Sequence, residues 1–245
     1  MRLIILGSGD ASGIPRADCA DPACACARAR AGRGPSRGNT CALVEAGGER
    51  IAIDTGCGAQ ACDGLLLTHY HSDHAGRIGE FLKLGTPRAW GPDDGLTLGA
   101  AGDGYAKPLG VRTVEPFASL RIGAATCIAL PLNHPIQVHG WVIEAEGRRL
   151  AWLTDTYGIP ARSLAWLADH PCDLLCLDTT FAPGVLRAPL KGHGDVASSL
   201  AAIAASGARR ALLVHIGHGM QSWLDGGGAL PDAVQTAADG QVVDV

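Results

Sequence analysis

Thr68-His69-Tyr70-His71-Ser72-Asp73-His74-Ala75-Gly76 follows directly on the apolar run Gly64-Leu65-Leu66-Leu67, and its reading decides the fold. Three imidazoles and a carboxylate fall within six residues, at the end of a buried-strand pattern. Imidazole and carboxylate together suit zinc, manganese and iron. In a loop leaving a strand, His69 and His71 can point to one side while Asp73 and His74 turn toward a second position. That arrangement points to two metal ions rather than one. The bland alternative is a solvated, His-rich turn, but surface loops rarely gather four ligand-type residues so densely.

Outward from this segment, short apolar runs recur. Leu3–Leu6, Cys41–Glu45, Arg50–Asp54, Leu65–Thr68, Thr126–Leu130, Gly140–Ala145, Leu150–Thr154, Leu174–Asp178 and Arg210–His215 read as strands. Several end in Gly, Asp, Asn or Pro, as strands entering turns do. Helical patterns cover Ala75–Leu84, Ala161–Ala168, Asp195–Ala205 and Pro231–Ala238, with Asp195 and Pro231 as starts. Strands come first as hairpins and later alternate with helices. An α/β protein is expected, with sheets covered by helices. Residues 1–245 read as a single domain, because no linker divides them. Residues 31–38 are a basic loop, and Pro92–Lys107 is a glycine-rich loop.

The 245 residues are 47% hydrophobic and carry a formal net charge of −4, which permits a large core and argues against a broad nucleic-acid-binding face. Met1-Arg2-Leu3-Ile4-Ile5-Leu6 is too short for a signal-peptide core, and no stretch approaches a membrane span. A cytoplasmic location and no membrane partner are expected. An odd number of cysteines, nine, does not read as a disulfide framework.

Further ligand types stand at strand ends: His134 after Leu130-Pro131-Leu132-Asn133, Asp155 after Trp152-Leu153-Thr154, and His215 after Leu212-Leu213-Val214. Each alone is more often a cap or turn residue. With the His-Asp segment, their order resembles the ligand order of the metallo-β-lactamase superfamily. The resemblance spans nearly the whole chain and implies an αββα sandwich with metals at the sheet edge. It implies one metal on His69, His71 and His134, a second on Asp73, His74 and His215, and Asp155 bridging both.

The finer pattern resembles the PhnP branch of that superfamily, which serves the carbon–phosphorus lyase pathway of phosphonate catabolism. It rests on the early cysteines, Leu65-Leu66-Leu67-Thr68-His69-Tyr70-His71-Ser72-Asp73-His74, Thr113-Val114-Glu115-Pro116-Phe117, Pro131-Leu132-Asn133-His134 and Ala151-Trp152-Leu153-Thr154-Asp155-Thr156. It implies hydrolysis of 5-phospho-α-D-ribosyl 1,2-cyclic phosphate to ribose 1,5-bisphosphate. Manganese, with zinc as the alternative, would serve the paired site, and the chain would form a homodimer. The resemblance also implies a structural zinc on Cys19, Cys24, Cys26 and His218, though the spacing C-x₄-C-x-C differs from the branch's usual C-x-C-x-x-C. His193 and Asp73 are the expected catalytic residues, His193 as proton donor to the leaving oxygen. The other cysteines are expected in the core, and His139 and His170 in structural or exposed places.

Arg28, Arg30, Arg33 and Arg37 are candidates to bind a 5-phosphate, or else a solvated basic loop. Competing functions are a tRNA 3′-processing-like nuclease, a thioester or lactam hydrolase, and a non-catalytic metal-binding protein like the pyrroloquinoline quinone biosynthesis member. The acidic balance counts against tRNA.

Overall fold

Strand Arg148–Leu153 explains how the sequence builds layers. Leu150 and Trp152 face an apolar layer shared with Ile53, Leu66 and Trp141, while Ala151 and Leu153 face another, shared with Leu167, Val196 and Ile203. Side chains alternate across a strand, so a run that is apolar at every position is covered on both faces.

The computed structural model describes residues 1–85, 88–93, 110–185 and 192–245. Strands β1 (Arg2–Gly7), β2 (Cys41–Ala46), β3 (Glu49–Ile53), β4 (Gly64–Leu66), β5 (Arg88–Gly91), β6 (Arg112–Thr113) and β14 (Val242–Asp244) form one seven-stranded sheet, in the order β14-β1-β2-β3-β4-β5-β6. Strands β7 (Ser119–Ile122), β8 (Ala125–Pro131), β9 (His139–Ala145), β10 (Arg148–Leu153), β11 (Leu174–Asp178), β12 (Ala211–Val214) and β13 (Val234–Thr236) form the second, in the order β13-β12-β11-β10-β9-β8-β7.

Each sheet begins with antiparallel hairpins and turns parallel, at β3/β4 in the first and at β10/β11 in the second. Parallel strands bring their C-terminal ends to one edge, the place where α/β sheets hold ligands. Asp54, Asp155, Asp178 and His215 stand at such ends.

The sheets enclose Leu3, Ile51, Leu66, Trp141, Trp152 and Leu212 between them. On the outer face of the first, Leu43, Leu65 and Leu67 pack with Ile78 and Phe81. Among the described residues the helices are α1 (Ala25–Arg30), α2 (Ser72–Ala75), α3 (Ile78–Lys83), α4 (Ala161–Asp169), α5 (Val196–Ser206) and α6 (His218–Asp225). Helix, sheet, sheet and helix thus stack as the expected αββα sandwich. Helix α5 starts where the sequence placed it. Asp195 and Ser198 cap each other reciprocally, and Gly207 closes the helix with φ +68°.

Two expectations need correction. The helix read over Ala75–Leu84 is split into α2 and α3. The His74 carbonyl accepts from Thr55 N (2.7 Å) and Thr55 Oγ1 (2.8 Å), which diverts it from helical pairing. The helix read over Pro231–Ala238 is instead a turn followed by β13, whose Val234 pairs with Ala211 of β12. Edge pairing overrides the local Pro-Asp start signal. Helices α1 and α6 were not anticipated. Of the glycine-rich stretch 92–107, everything beyond Asp93 lies outside the described residues. Among the described residues no helix is long and apolar enough to cross a membrane.

Trp141 ties the sheets together just ahead of His69: its Nε1 donates to the Leu67 carbonyl at 3.0 Å, and both side chains are fully buried. Trp141→Phe leaves that carbonyl without its donor in a dry layer. Urea unfolding should register a loss of about 1–3 kcal/mol with an unchanged m value. An unchanged midpoint would mean that this bond contributes nothing.

Candidate metal centre

Three groups of ligand atoms share one carboxylate, and the third of them, Asp155, Asp178, His193 and His215, overlaps the second through Asp155 and His215. His69, His71, His134 and Asp155 form the first, and Asp73, His74, His215 and Asp155 the second; within each, the ligand atoms lie within 4.8 Å of one another. Asp155 Oδ2 lies 3.5 Å from His69 Nε2 and 3.3 Å from His74 Nε2, and its Oδ1 lies 3.4 Å from His215 Nε2. His71 Nδ1 sits 3.1 Å from His69 Nε2 and 3.2 Å from His134 Nε2. Asp73 Oδ2 is 3.1 Å from His74 Nε2 and 3.8 Å from His215 Nε2. Every residue expected at the paired centre is therefore in one place, although the ligands come from four separated stretches of chain.

Two aspartates that the sequence reading passed over fix the rings. Asp54, just past β3, accepts from Thr68 N (2.8 Å) and Thr68 Oγ1 (2.7 Å), and its Oδ2 pairs with His74 Nδ1 at 2.8 Å. Thr68 Oγ1 in turn meets His69 Nδ1 at 2.9 Å. Asp178, the last residue of β11, accepts from Thr180 Oγ1 at 2.8 Å, and that hydroxyl meets His215 Nδ1 at 2.8 Å. The other oxygen of Asp178 accepts from Thr156 N at 3.0 Å and pairs with His193 Nδ1 at 2.7 Å. His134 Nδ1 faces the Gly192 carbonyl at 3.0 Å. With Nδ1 committed as donor, each of His69, His74, His134 and His215 keeps an Nε2 lone pair for the centre.

That arrangement answers whether cations fit. His74 Nε2 and His215 Nε2 are buried and make no hydrogen bond. Carboxylates and another imidazole lie against them, a donor set suited to divalent ions of the zinc and manganese kind. Backbone strain accompanies the site: Asp54 (φ +59°) and His215 (φ +60°) hold left-handed conformations, at a cost of about 1–3 kcal/mol each.

The electrostatics divide the rings. Burial pushes His69, His71 and His134 toward the neutral form that a ligand needs. Burial acts the same way on His74 and His215, but the carboxylates led by Asp155 outweigh it, and His215 is pushed up to about 9. Asp73 and Asp155, which burial alone would make neutral, are held ionised by the surrounding imidazoles. Protons on His74 and His215 therefore balance the buried carboxylates in the metal-free protein. A cation would take over that role.

His193 lies at the rim. Its ring stacks on His215 at 4.7 Å between centroids and meets His134 edge-on at 5.1 Å. Burial lowers its pKa, but Asp178 outweighs it and the net shift is upward. His193 Nδ1 is held by Asp178, so Nε2 is the atom left to carry a proton outward.

A second group lies nearby. Cys19, Cys24, Cys26 and His218 place their ligand atoms within 4.8 Å of one another. Cys24 and Cys26 are buried, the Cys19 and Cys24 sulfurs are 3.1 Å apart, and His218 Nδ1 is buried without a partner. Three thiols and an open imidazole nitrogen are a donor set of the kind that suits a tetrahedral zinc ion. Helix α1 supplies Cys26 and α6 supplies His218, joined by Ala25 N donating to Ser222 Oγ at 2.8 Å.

The arginine run is engaged in the fold rather than grouped for a phosphate. Arg37 is buried and donates to Gln221 Oε1 (2.9 Å) and Ser8 Oγ (2.7 Å). Arg28 pairs with Asp225 at 2.7 Å, Arg30 donates to the Cys19 carbonyl at 2.7 Å, and Arg33 is exposed. His139 is buried on the Val114 carbonyl at 2.7 Å, and His170 stacks on Trp166. Cys41, Cys127, Cys172 and Cys176 are core residues, while Cys57 and Cys62 are half-buried. A cavity of about 460 Å³ opens among Glu144, Arg148, Arg149, Asp173 and Arg209, with no metal ligand in its lining. Its guanidiniums pair with Asp173 and Glu144, which leaves it no free cationic head for chemistry.

Known proteins share this architecture. A UPF0173 protein of Pyrococcus furiosus is 34% identical over 131 residues, covering 51% of this chain and 60% of that protein. The chain thus spans about 60% of the length of the curated relatives it matches. A new diphosphatase from the PhnP family has a TM-score of 0.79 at 22% identity, covering 99% of this chain and 97% of its own. Zinc-bound PqqB from Methylobacterium extorquens has a TM-score of 0.76 at 18% identity, covering all of both chains. At such identities the likeness concerns the fold alone. The family signature described as Beta-lactamase superfamily domain matches residues 42–216, and the chain belongs to that superfamily.

Proposed function

We propose that the chain is a dinuclear metal-dependent phosphodiesterase. Its substrate would be 5-phospho-α-D-ribosyl 1,2-cyclic phosphate, opened by water to ribose 1,5-bisphosphate in phosphonate catabolism. The observation that carries the diesterase reading is the His193–Asp178 pair, 2.7 Å apart and grouped with Asp155 and His215 at the edge of the centre, where Asp178 rather than a second imidazole holds His193 Nδ1. A sugar alkoxide is a poor leaving group, so a diester needs a proton donor at the leaving oxygen. The finer substrate rests on the resemblance of the sequence to the PhnP branch.

Divalent cations, manganese foremost and zinc as the alternative, would be held by His69, His71, His134, Asp73, His74, His215 and a shared Asp155, and would supply a water nucleophile at neutral pH and neutralise phosphoryl charge. Asp73 is the more open carboxylate, its side chain 11% exposed against 2% for Asp155. It would accept a hydrogen bond from the attacking water and orient it. His193 would give its Nε2 proton to the departing alkoxide, and the Asp178 carboxylate would stabilise the charged ring beforehand. Asp54 and Thr180 keep the ligand rings from rotating. A homodimer in the cytoplasm is the working state of this proposal, and the Cys19, Cys24, Cys26 and His218 group would hold a structural zinc.

His193→Ala should keep its metals and lose rate by on the order of 10²–10⁴-fold on an alkyl diester. The loss should shrink on an activated aryl diester, whose phenolate leaves without help. Turnover of both substrates and elemental analysis of the same preparation decide the matter. Equal losses on both would reject the proton-donor role. Separately, Cys24→Ser or Cys26→Ser should lose roughly one zinc per chain and lower thermal stability more than turnover, because a closed thiolate site contributes folding energy directly. Unchanged zinc in both variants would remove the structural site from the account.

A further inference from the structure

Cys41 and Cys57 belong to none of the ligand groups, and they are in contact. Cys57 N donates to Cys41 Sγ at 3.1 Å, and Cys57 Sγ donates to the Asn39 carbonyl at 3.2 Å. Cys41 opens β2 and is buried, whereas Cys57 lies in the loop after β3 and is half-buried. The hydrogen bond from Cys41 holds the Cys57 thiol below its usual range, and the same bond pushes the Cys41 thiol up. Outside the Cys19, Cys24, Cys26 and His218 group, every other thiol shifts the opposite way from Cys57. Burial pushes Cys62 up to about 11, and Cys127 and Cys172 up to about 12. A thiolate is the form of cysteine that attacks a peroxide, and a second thiol beside it turns the product into a disulfide.

The loop that carries Cys57 also sets His74. Asp54 Oδ2 pairs with His74 Nδ1 at 2.8 Å, and Thr55 N and Oγ1 donate to the His74 carbonyl at 2.7 Å and 2.8 Å. A Cβ on Gly56 would fall 2.7 Å from the Asp73 carbonyl oxygen and 2.8 Å from Asn39 Cβ, so this backbone is wedged between the ligand segment and the chain leading into β2. Cys41 is fixed by the sheet, because it pairs with Gly7 and its neighbour Ala42 pairs with Ile53. A covalent S–S bond is shorter than a contact between two thiols. Closing one here draws Cys57 and its loop toward β2, and it removes the S–H that Cys57 donates to Asn39.

We propose that Cys41 and Cys57 are an oxidisable dithiol site, closed to a disulfide by hydrogen peroxide or an organic hydroperoxide, and that closure loosens the Thr55 contacts to His74. Cys57 is the thiol that solvent reaches, so it reacts first. Its sulfur forms an S–O bond as the O–O bond breaks, and the departing oxygen takes a proton and leaves as water or an alcohol. Cys41 then attacks the Cys57 sulfur. The S–S bond forms as the S–O bond breaks, and the second oxygen leaves as water with the Cys41 proton. The two thiols lose two electrons and the peroxide gains them. A dithiol reductant reverses the change.

The test uses the full chain loaded with zinc and treated with hydrogen peroxide. Remaining thiols are blocked by alkylation and tryptic peptides are identified by mass spectrometry. Residues 38–50 should appear joined to residues 51–77, with fragmentation placing the bond at Cys57 rather than Cys62. In the same material, exchange of the Thr55 amide hydrogen, followed by NMR, should speed up by about 2- to 10-fold, the worth of one hydrogen bond. Dithiothreitol should restore the slow rate. Cys62→Ser should behave like the native chain, and Cys57→Ser, which keeps a hydroxyl for Asn39, should show neither change. Absence of the joined peptide, a bond from Cys41 to another cysteine, or the Cys41–Cys57 bond with unchanged Thr55 exchange overturns the proposal. Faster exchange in peroxide-treated Cys57→Ser overturns it as well. None of these readouts involves a substrate, so the proposal and the diesterase reading fail independently.

Discussion

A carboxylate buried among imidazoles is the interaction on which the rest of the structure depends. Asp155 is 2% exposed and has the Nε2 atoms of His69, His74 and His215 within 3.5 Å. Burying charge without compensation costs several kcal/mol per ion, so the surroundings must supply positive charge. Protonated rings can do this in part, and divalent cations do it without occupying the Nε2 atoms with protons. The two sheets exist, in this sense, to bring ligands from distant stretches of chain to one edge. Their change from antiparallel to parallel pairing places Asp54 and Asp155 at corresponding points, one after β3 and the other after β10. The first orients ligand rings and the second stands among them.

The layers were legible because continuous apolar runs have one solution, a strand covered on both faces. The ligand series was legible because His and Asp at successive strand ends converge once those strands are parallel neighbours. The positions of Asp54 and Asp178 were visible as strand ends, but a lone strand-end Asp reads as a turn residue. The available signal was a repetition, Asp-Thr at 54–55, 155–156 and 178–179, which marks three similar exits from the two sheets. Helix α6 was hidden because Gly217 and Gly219 flank His218 and weaken the helical pattern. The arginine run looked like a phosphate site because sequence alone cannot tell that Arg37 is buried against Gln221 and Ser8.

The thiol group and the paired centre are mechanically joined. His215 ends the turn out of β12, and His218 opens α6 three residues later. Gly217 N donates to the Thr180 carbonyl at 3.1 Å, on the residue whose hydroxyl orients His215. The buried Arg37 connects α6 to the Ser8 loop, and Ile216 N donates to the Ser8 carbonyl at 2.8 Å. A cation on Cys19, Cys24, Cys26 and His218 would clamp the start of α6 and so hold His215 in its strained conformation.

The central claim is that Asp155 is shared between two cations. Anomalous-scattering maps from crystals grown with manganese or zinc test it most directly. The account predicts two peaks roughly 3.5–4 Å apart, one beside His69, His71 and His134 and the other beside Asp73, His74 and His215, with Asp155 between them. A single peak, or a pair in which Asp155 touches only one ion, would contradict it.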